Sequence, residues 1–194
     1  MERYFKFVDA AANEMGKMPV LCDMLVQGLE LYPKKAGKKL EIIPFGKVLN
    51  NYCTDYLVAA VEVSSDGKRI LSLILYELKQ NVAAHLASVC ENDLAQAMVE
   101  GYYALLGCDV DLSSIVVALT DVGTTHYFKL KLPITRNSSS SSSSSRSRKL
   151  ELVWYEKVRL SDYPPQKKED LFAFIEFLHF VLDQSQLPAV AEIH

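Results

Sequence analysis

The sequence predicts an α/β fold built on one mixed β-sheet flanked by helices, and three observations predict it. Two apolar runs of strand length, Thr54–Val63 and Arg69–Gln80, enclose the turn signal Ser64-Ser65-Asp66-Gly67-Lys68. A segment of helical spacing follows, from about His85 to Leu106, with Gly107 as a natural stop. It leads into Ser113–Val122, which is apolar on both faces, as a central strand is. A hairpin pairs its strands antiparallel, whereas a strand–helix–strand passage pairs them parallel. The sheet is therefore mixed.

The remaining elements follow in order. Residues 4–32 have helical spacing, with Phe5, Val8, Ala12 and Met15 on one face and Pro19 expected to divide the region into two helices. Tyr32–Lys39 reads as a basic turn, and Leu40–Leu49 as a short strand weakened by Pro44 and Gly46. Thr125–Pro133 alternates as a further strand. Asn137–Lys149 is a low-complexity serine run, expected to be a flexible loop, and Leu150–Leu160 is a last strand. A strongly apolar helix over about 167–184 closes the pattern, with Glu169 and Asp170 at the end of its dipole that favours acids.

With 194 residues, 49% of them apolar, the chain suffices for one full core, so a single domain over 1–194 is expected, its core spanning about 40–122. A net charge of −3 sets no overall cationic field to attract nucleic acid or an anionic membrane. Cys22, Cys53, Cys90 and Cys108 are scattered without a CxxC pair, which fits buried, reduced thiols in an intracellular protein. No apolar run approaches the ~20 residues that span a bilayer, and the N-terminus lacks a signal-peptide core. An intracellular location, nucleus or cytoplasm, is the expectation.

The chemistry concentrates where the second hairpin strand ends, in Ile74-Leu75-Tyr76-Glu77-Leu78-Lys79. Alternate strand residues share a face, so Glu77 and Lys79 continue the row Leu71, Leu73, Leu75. Either the strand has reached water there, or its end needs an acid beside a base. A three-residue loop, Ser65-Asp66-Gly67, places Ser64 opposite Lys68, Val61 opposite Leu71, Ala59 opposite Leu73 and Leu57 opposite Leu75. Asp55 then opposes Glu77, and Cys53 opposes Lys79. Facing carboxylates repel unless something positive lies between them, and a divalent cation is the simplest candidate. A two-residue Asp66-Gly67 turn shifts the count by one and separates Asp55 from Glu77.

These residues resemble the signature of the PD-(D/E)XK, or restriction-endonuclease-like, nuclease superfamily: Asp55 on one core strand, Glu77-Leu78-Lys79 ending the next, then a helix and another strand. Gln96 in Asp93-Leu94-Ala95-Gln96, with Glu100 and Tyr103 on its helical face, is similar to the glutamine of the RecB-like branch. Thr54 stands where the family signature has proline, and Tyr102 and Tyr103 lie farther from the glutamine than the branch's tyrosine does. The resemblance implies a restriction-endonuclease-like core. It further implies a nuclease that hydrolyses DNA, with RNA as second choice, using Mg²⁺ or Mn²⁺. Asp55, Glu77 and the Leu78 backbone carbonyl would hold the metal. Lys79 would position the attacking water or stabilise charge, and Gln96 would orient a water or the scissile phosphate. An upstream glutamate, Glu14 or Glu30, would add a metal contact.

Two basic clusters are candidate phosphate contacts: Lys34, Lys35, Lys38 and Lys39, and Arg146, Arg148 and Lys149. Solvated loops are the blander account of both. His85, His126 and His179 have no zinc-ligand spacing. Phe172, Ile175, Phe177, Leu178 and Val181 form core, or a surface for a second copy or a neighbouring domain. The alternative to an enzyme is a catalytically inactive binding or assembly module of the same fold.

Overall fold

The computed structural model describes residues 14–32, 38–47, 53–65, 67–107, 112, 114–131, 151–160 and 168–184. The described elements are α1 (Glu14–Leu31), β1 (Lys38–Lys47), β2 (Cys53–Ser64), β3 (Gly67–Leu78), α2 (Glu91–Gly107), β4 (Ser114–Thr120), β5 (Thr124–Lys131), β6 (Glu151–Arg159) and α3 (Lys168–Gln184). The strands form one sheet in sequence order, β1-β2-β3-β4-β5-β6. Only the β3–β4 pair is parallel. The mixed α/β sheet is therefore as the sequence predicts. No helix among the described residues is long and apolar enough to cross a membrane.

Each face of the sheet buries a separate apolar cluster. On one, Leu21, Met24 and Leu25 of α1 and Phe174, Leu178 and Leu182 of α3 cover Val58, Ile74, Tyr76, Ala118 and Tyr127. On the other, α2, with Val82, Leu86 and Val89 before it, lies against Leu57, Leu73, Leu75, Ile115, Val117, Leu119 and Phe128. Full burial of each large aliphatic side chain contributes about 1.5–3 kcal/mol. Gly101 lets α2 approach closely, since a Cβ there would stand 2.7 Å from Val117 Cγ2 and 3.2 Å from Leu130 Cδ2.

Several expected boundaries move. Pro19 lies inside α1 and does not divide it. It is exposed and costs the helix one backbone bond, the one its N–H would give to the Met15 carbonyl, while Val20, Leu21, Met24 and Leu25 after it are buried. Met15 is 70% exposed, so at that position the expected apolar face looks outward; Phe5, Val8 and Ala12 lie outside the described residues. β1 begins at Lys38, taking two lysines from the expected basic turn, and tolerates Pro44 because it is an edge strand. The helix expected from His85 starts at Glu91: Leu86–Ser88 is a single 3₁₀ turn, and extended backbone at Val89 interrupts it. Glu91 and Asp93 then occupy the first turn of α2, where its dipole favours acids.

The hairpin departs from the expected count twice, and the departures cancel. Ser64 pairs with Gly67 and Val63 with Lys68, so the loop has two residues, Ser65 and Asp66. Gly67, at φ 128°, is the first paired residue after it. Val61 pairs with Ile70 instead of Leu71. A bulge then leaves Leu71 without an opposite partner, so that Ala60 meets Ser72, Ala59 meets Leu73 and Leu57 meets Leu75. Leu71 packs into the α1/α3 cluster, while Leu73 and Leu75 stay under α2.

The apolar terminal helix is largely consumed internally. Ile175, Leu178 and Val181 are buried and Phe177 packs partly against them, whereas Phe172 is 53% exposed and not core. The cysteine expectation also shifts. Cys22 is partly buried, and Cys90 is exposed because it precedes the first turn of α2. The Cys53 side chain, Cys108 and the serine run 137–149 lie outside the described residues.

Candidate functional site

At the C-terminal end of β3 the α2 face of the sheet turns from apolar to ionic. Leu73 and Leu75 belong to the core, and Glu77, next on that side, is 4% exposed. The β2–β3 ladder runs as far as the Tyr56–Tyr76 rung. Just past it, Asp55 Oδ2 accepts a hydrogen bond from the Leu78 backbone N–H at 2.8 Å. Thr54 donates from Oγ1 to the Tyr76 carbonyl at 2.9 Å and ties the two strand ends together. Lys79 N–H donates to the Thr120 carbonyl at 2.8 Å, extending the parallel β3–β4 pairing to the lysine. Asp55, Glu77 and Lys79 thus stand on backbone held on both sides.

Side chains link these residues to α2. Lys79 Nζ donates to Glu77 Oε1 and to Gln96 Oε1, both at 2.8 Å. Gln96 Nε2 donates to Glu77 Oε1 at 2.8 Å and to Glu100 Oε1 at 3.0 Å. Glu100, one helical turn beyond Gln96, is 3% exposed, and its Oε2 is sealed from solvent without a hydrogen-bond partner. Asp93 lies 4.0 Å from Lys79 Nζ. From α1, Glu14 Oε1 accepts from Gln80 N–H at 3.2 Å, and Lys17 Nζ donates to the Gln80 carbonyl. Glu14 therefore reaches the site, close enough to act electrostatically on Asp55 and Lys79. Glu30 lies at the other end of α1.

The electrostatics show an excess of acid. Burial pushes the Glu77 carboxyl up to about 8; hydrogen bonding and repulsion by Glu100 add to this, while Lys79 opposes it. Burial likewise raises Asp55 to about 6, with the Leu78 N–H opposing and the Glu77 charge adding. Burial pulls the Lys79 ammonium down, but its bond to Glu77 and the acids around it more than compensate, so its pKa is raised. Among the described residues, Glu14, Asp55, Glu77, Asp93 and Glu100 gather around Lys17 and Lys79. Fewer cations than carboxylates leave charge for a ligand to neutralise.

No group of three or more His, Cys, Asp and Glu side chains among the described residues is arranged to hold a metal ion. The donors that converge are carboxylate oxygens with elevated proton affinity, and one buried oxygen lacks a partner. That chemistry fits a hard cation of the Mg²⁺ type, which takes one or two carboxylates and completes its shell with water and substrate oxygens. It does not fit a thiolate or imidazole metal site. His126 Nε2 and His179 Nε2 instead bond to the Ala83 and Gly28 carbonyls, at 2.8 and 2.7 Å.

Of the basic clusters only Lys38 and Lys39 are described, and they lie away from this site. Lys39 faces Glu41 at 3.4 Å and pairs with Val61, whereas Thr54 pairs with Gly46. Seven residues of strand, roughly 23 Å, separate Lys39 from the carboxylates. Lys38 shares that end of β1, opposite Glu62. Lys34, Lys35, Arg146, Arg148 and Lys149 lie outside the described residues. Tyr102 and Tyr103 pack against the α2-side core. The residue that sequence reasoning undervalued is Glu100; its spacing from Gln96 was the available signal.

No family model matches the chain, and comparison with curated proteins and with solved structures likewise finds no match.

Proposed function

We propose that this chain has a restriction-endonuclease-like core and is a Mg²⁺- or Mn²⁺-dependent nuclease that hydrolyses phosphodiester bonds of DNA, with RNA as the second substrate class. The observation that carries the reading is the convergence of Asp55, Glu77, Lys79 and Gln96. They come from three separate elements and meet at one strand end, where the described carboxyls outnumber the cations and Glu77 holds its proton up to about pH 8. Their order along antiparallel β2–β3, then α2, then parallel β4, supports it.

In this reading Asp55 and Glu77, with the Leu78 carbonyl, hold the cation. Bound there, a divalent ion supplies Lewis acidity to a phosphoryl oxygen and lowers the pKa of a water. The Leu78 N–H fixes the Asp55 carboxylate through one oxygen and leaves the other for a ligand. Lys79 and Gln96 both bind Glu77 Oε1, which leaves Oε2 for the ion. Lys79, held between Glu77 and Gln96, keeps a positive charge at the strand end, where it stabilises negative charge developing on a transferred phosphoryl group. The test is cleavage of plasmid and linear DNA in Mn²⁺, with EDTA as control. Glu77→Ala and Lys79→Ala should each lower the rate by on the order of 10³-fold while the proteins still melt cooperatively. Equal cleavage by wild type and both variants would refute the assignment.

The scarcity of described cations near the carboxylates favours a second reading, a binding or assembly module that holds metal and nucleic acid without cutting. Mn²⁺ binding with DNA retention but no cleavage by the wild type would select it.

A further inference from the structure

We infer that Glu100 is a positioning residue of this site, acting on Glu77 by direct contact and on both Glu77 and Lys79 through the side-chain amide of Gln96. The inference rests on the reading of Asp55 and Glu77 as a cation site and adds to it a buried support on α2. Gln96 has two amide protons and one carbonyl oxygen to place. One proton goes to Glu77 Oε1, the other to Glu100 Oε1, and the oxygen takes the Lys79 ammonium. With both protons used, the amide has no donor left for a phosphate or a water. Its role is therefore to brace Glu77 and Lys79, which differs from the substrate contact expected of it.

Glu100 is suited to be the fixed end of that brace. Its carboxyl is nine-tenths buried or better, its helix is seated closely on β4 by Gly101, and its second oxygen is sealed without a donor. A buried carboxylate oxygen without a partner is costly and gives the core nothing that an apolar side chain would not. Its placement beside the Gln96 amide and the Glu77 carboxyl is the arrangement expected of an outer partner that orients a metal ligand.

Calorimetric titration of MnCl₂ into the full chain, as wild type and as Asp55→Ala, Gln96→Ala, Glu100→Gln, Glu100→Ala and Gln96→Ala/Glu100→Ala, tests this. Glu100→Gln keeps an acceptor for the amide and should bind Mn²⁺ within about threefold of wild type. Glu100→Ala should weaken binding by about 10–100-fold. In the Gln96→Ala background the same truncation should add clearly less than its loss in the wild type, because the route through the amide is cut and only the direct contact with Glu77 is left. Additive losses in the double variant, or unchanged affinity in Glu100→Ala, would overturn the inference. If Asp55→Ala abolishes binding while Glu100→Ala keeps it, this inference alone fails; if Asp55→Ala binds as wild type does, the cation-site reading fails with it. A measurement on unmutated protein stands beside the variants: both Gln96 Nε2 protons should exchange slowly with solvent in NMR spectra. Exchange of either proton at the rate of a free glutamine would overturn the role whether or not the alanine variant folds.

Discussion

Tyr76 and Glu77 are adjacent in β3, are 0% and 4% exposed, and look toward opposite faces of the same sheet. Each places a polar group in a core, but only one of the two cores satisfies it. On the α1/α3 face the Tyr76 and Tyr127 hydroxyls meet each other at 3.0 Å, and burial holds both phenols well above their ordinary pKa, so they stay neutral. On the α2 face Glu77 meets another carboxyl, an amide and a single ammonium, and its pKa still rises to about 8. A buried polar pair that is complete within the protein is architecture. A buried cluster with more carboxyls than cations, whose acids hold on to protons, is built for something positive that arrives from outside.

The pH dependence of stability should separate the two faces most. Both raised carboxyls hold protons in the folded state that the unfolded chain has already released. Their contribution is full below the ordinary carboxylate values near 4 and is lost as pH rises through about 6 for Asp55 and about 8 for Glu77. In EDTA, melting temperatures from pH 5 to pH 9 should fall, and Glu77→Gln should reduce that span by on the order of 3 kcal/mol. Mn²⁺ should restore the loss in wild type and not in the variant. A span unchanged by the substitution would show that Glu77 is not the titrating group.

Glycine substitutions sharpen the contrast by moving one layer at a time. A methyl at Gly101 would press on Val117, whose branched side chain is stiff, so Gly101→Ala should cost about 1–3 kcal/mol. It should also weaken Mn²⁺ binding, because Gln96 and Glu100 move with α2. Gly28 is as tight on the other face, where an added methyl would stand 2.7 Å from Leu178 Cδ2. Gly28→Ala should nonetheless destabilise α1 against α3 with little change in metal affinity. Equal effects of both on Mn²⁺ titrations would mean that the layers are not separable.

The tyrosine pair should have the smallest effect on the site. Tyr76→Phe strands the Tyr127 hydroxyl and should cost about 1–3 kcal/mol, while Tyr76→Phe/Tyr127→Phe should recover most of the loss. Neither should alter the pH dependence, which chemical denaturation at pH 5 and pH 9 can check.

How far the sequence was readable follows from these same residues. Strands were legible because their apolar runs end in turn residues, and the parallel β3–β4 pair followed from the helix between them. Glu77 and Lys79 were legible as a pair from strand alternation, whereas Asp55 was set beside them by a three-residue loop that the structure replaces with a two-residue loop and a compensating bulge. The bulge at Leu71 was not, since no residue there differs from ordinary strand sequence, and the reason to insert it lies in packing two faces at once. Pro19 misled because a helix whose following turns are buried can carry the loss of one backbone bond, and that burial is not written in the proline itself. Glu100 was legible as a residue on the Gln96 face, but its burial was not, because only the closeness of α2 to the sheet provides it.

The tight loop and the extra residue at Leu71 are two half-steps that undo each other. The strand leaves the loop in one phase and reaches the carboxylates in the other, so the orientation of Glu77 is a question of parity. An insertion or deletion of two residues between loop and bulge keeps that parity, whereas a change of one would send the acid to the dry, aromatic side of the sheet.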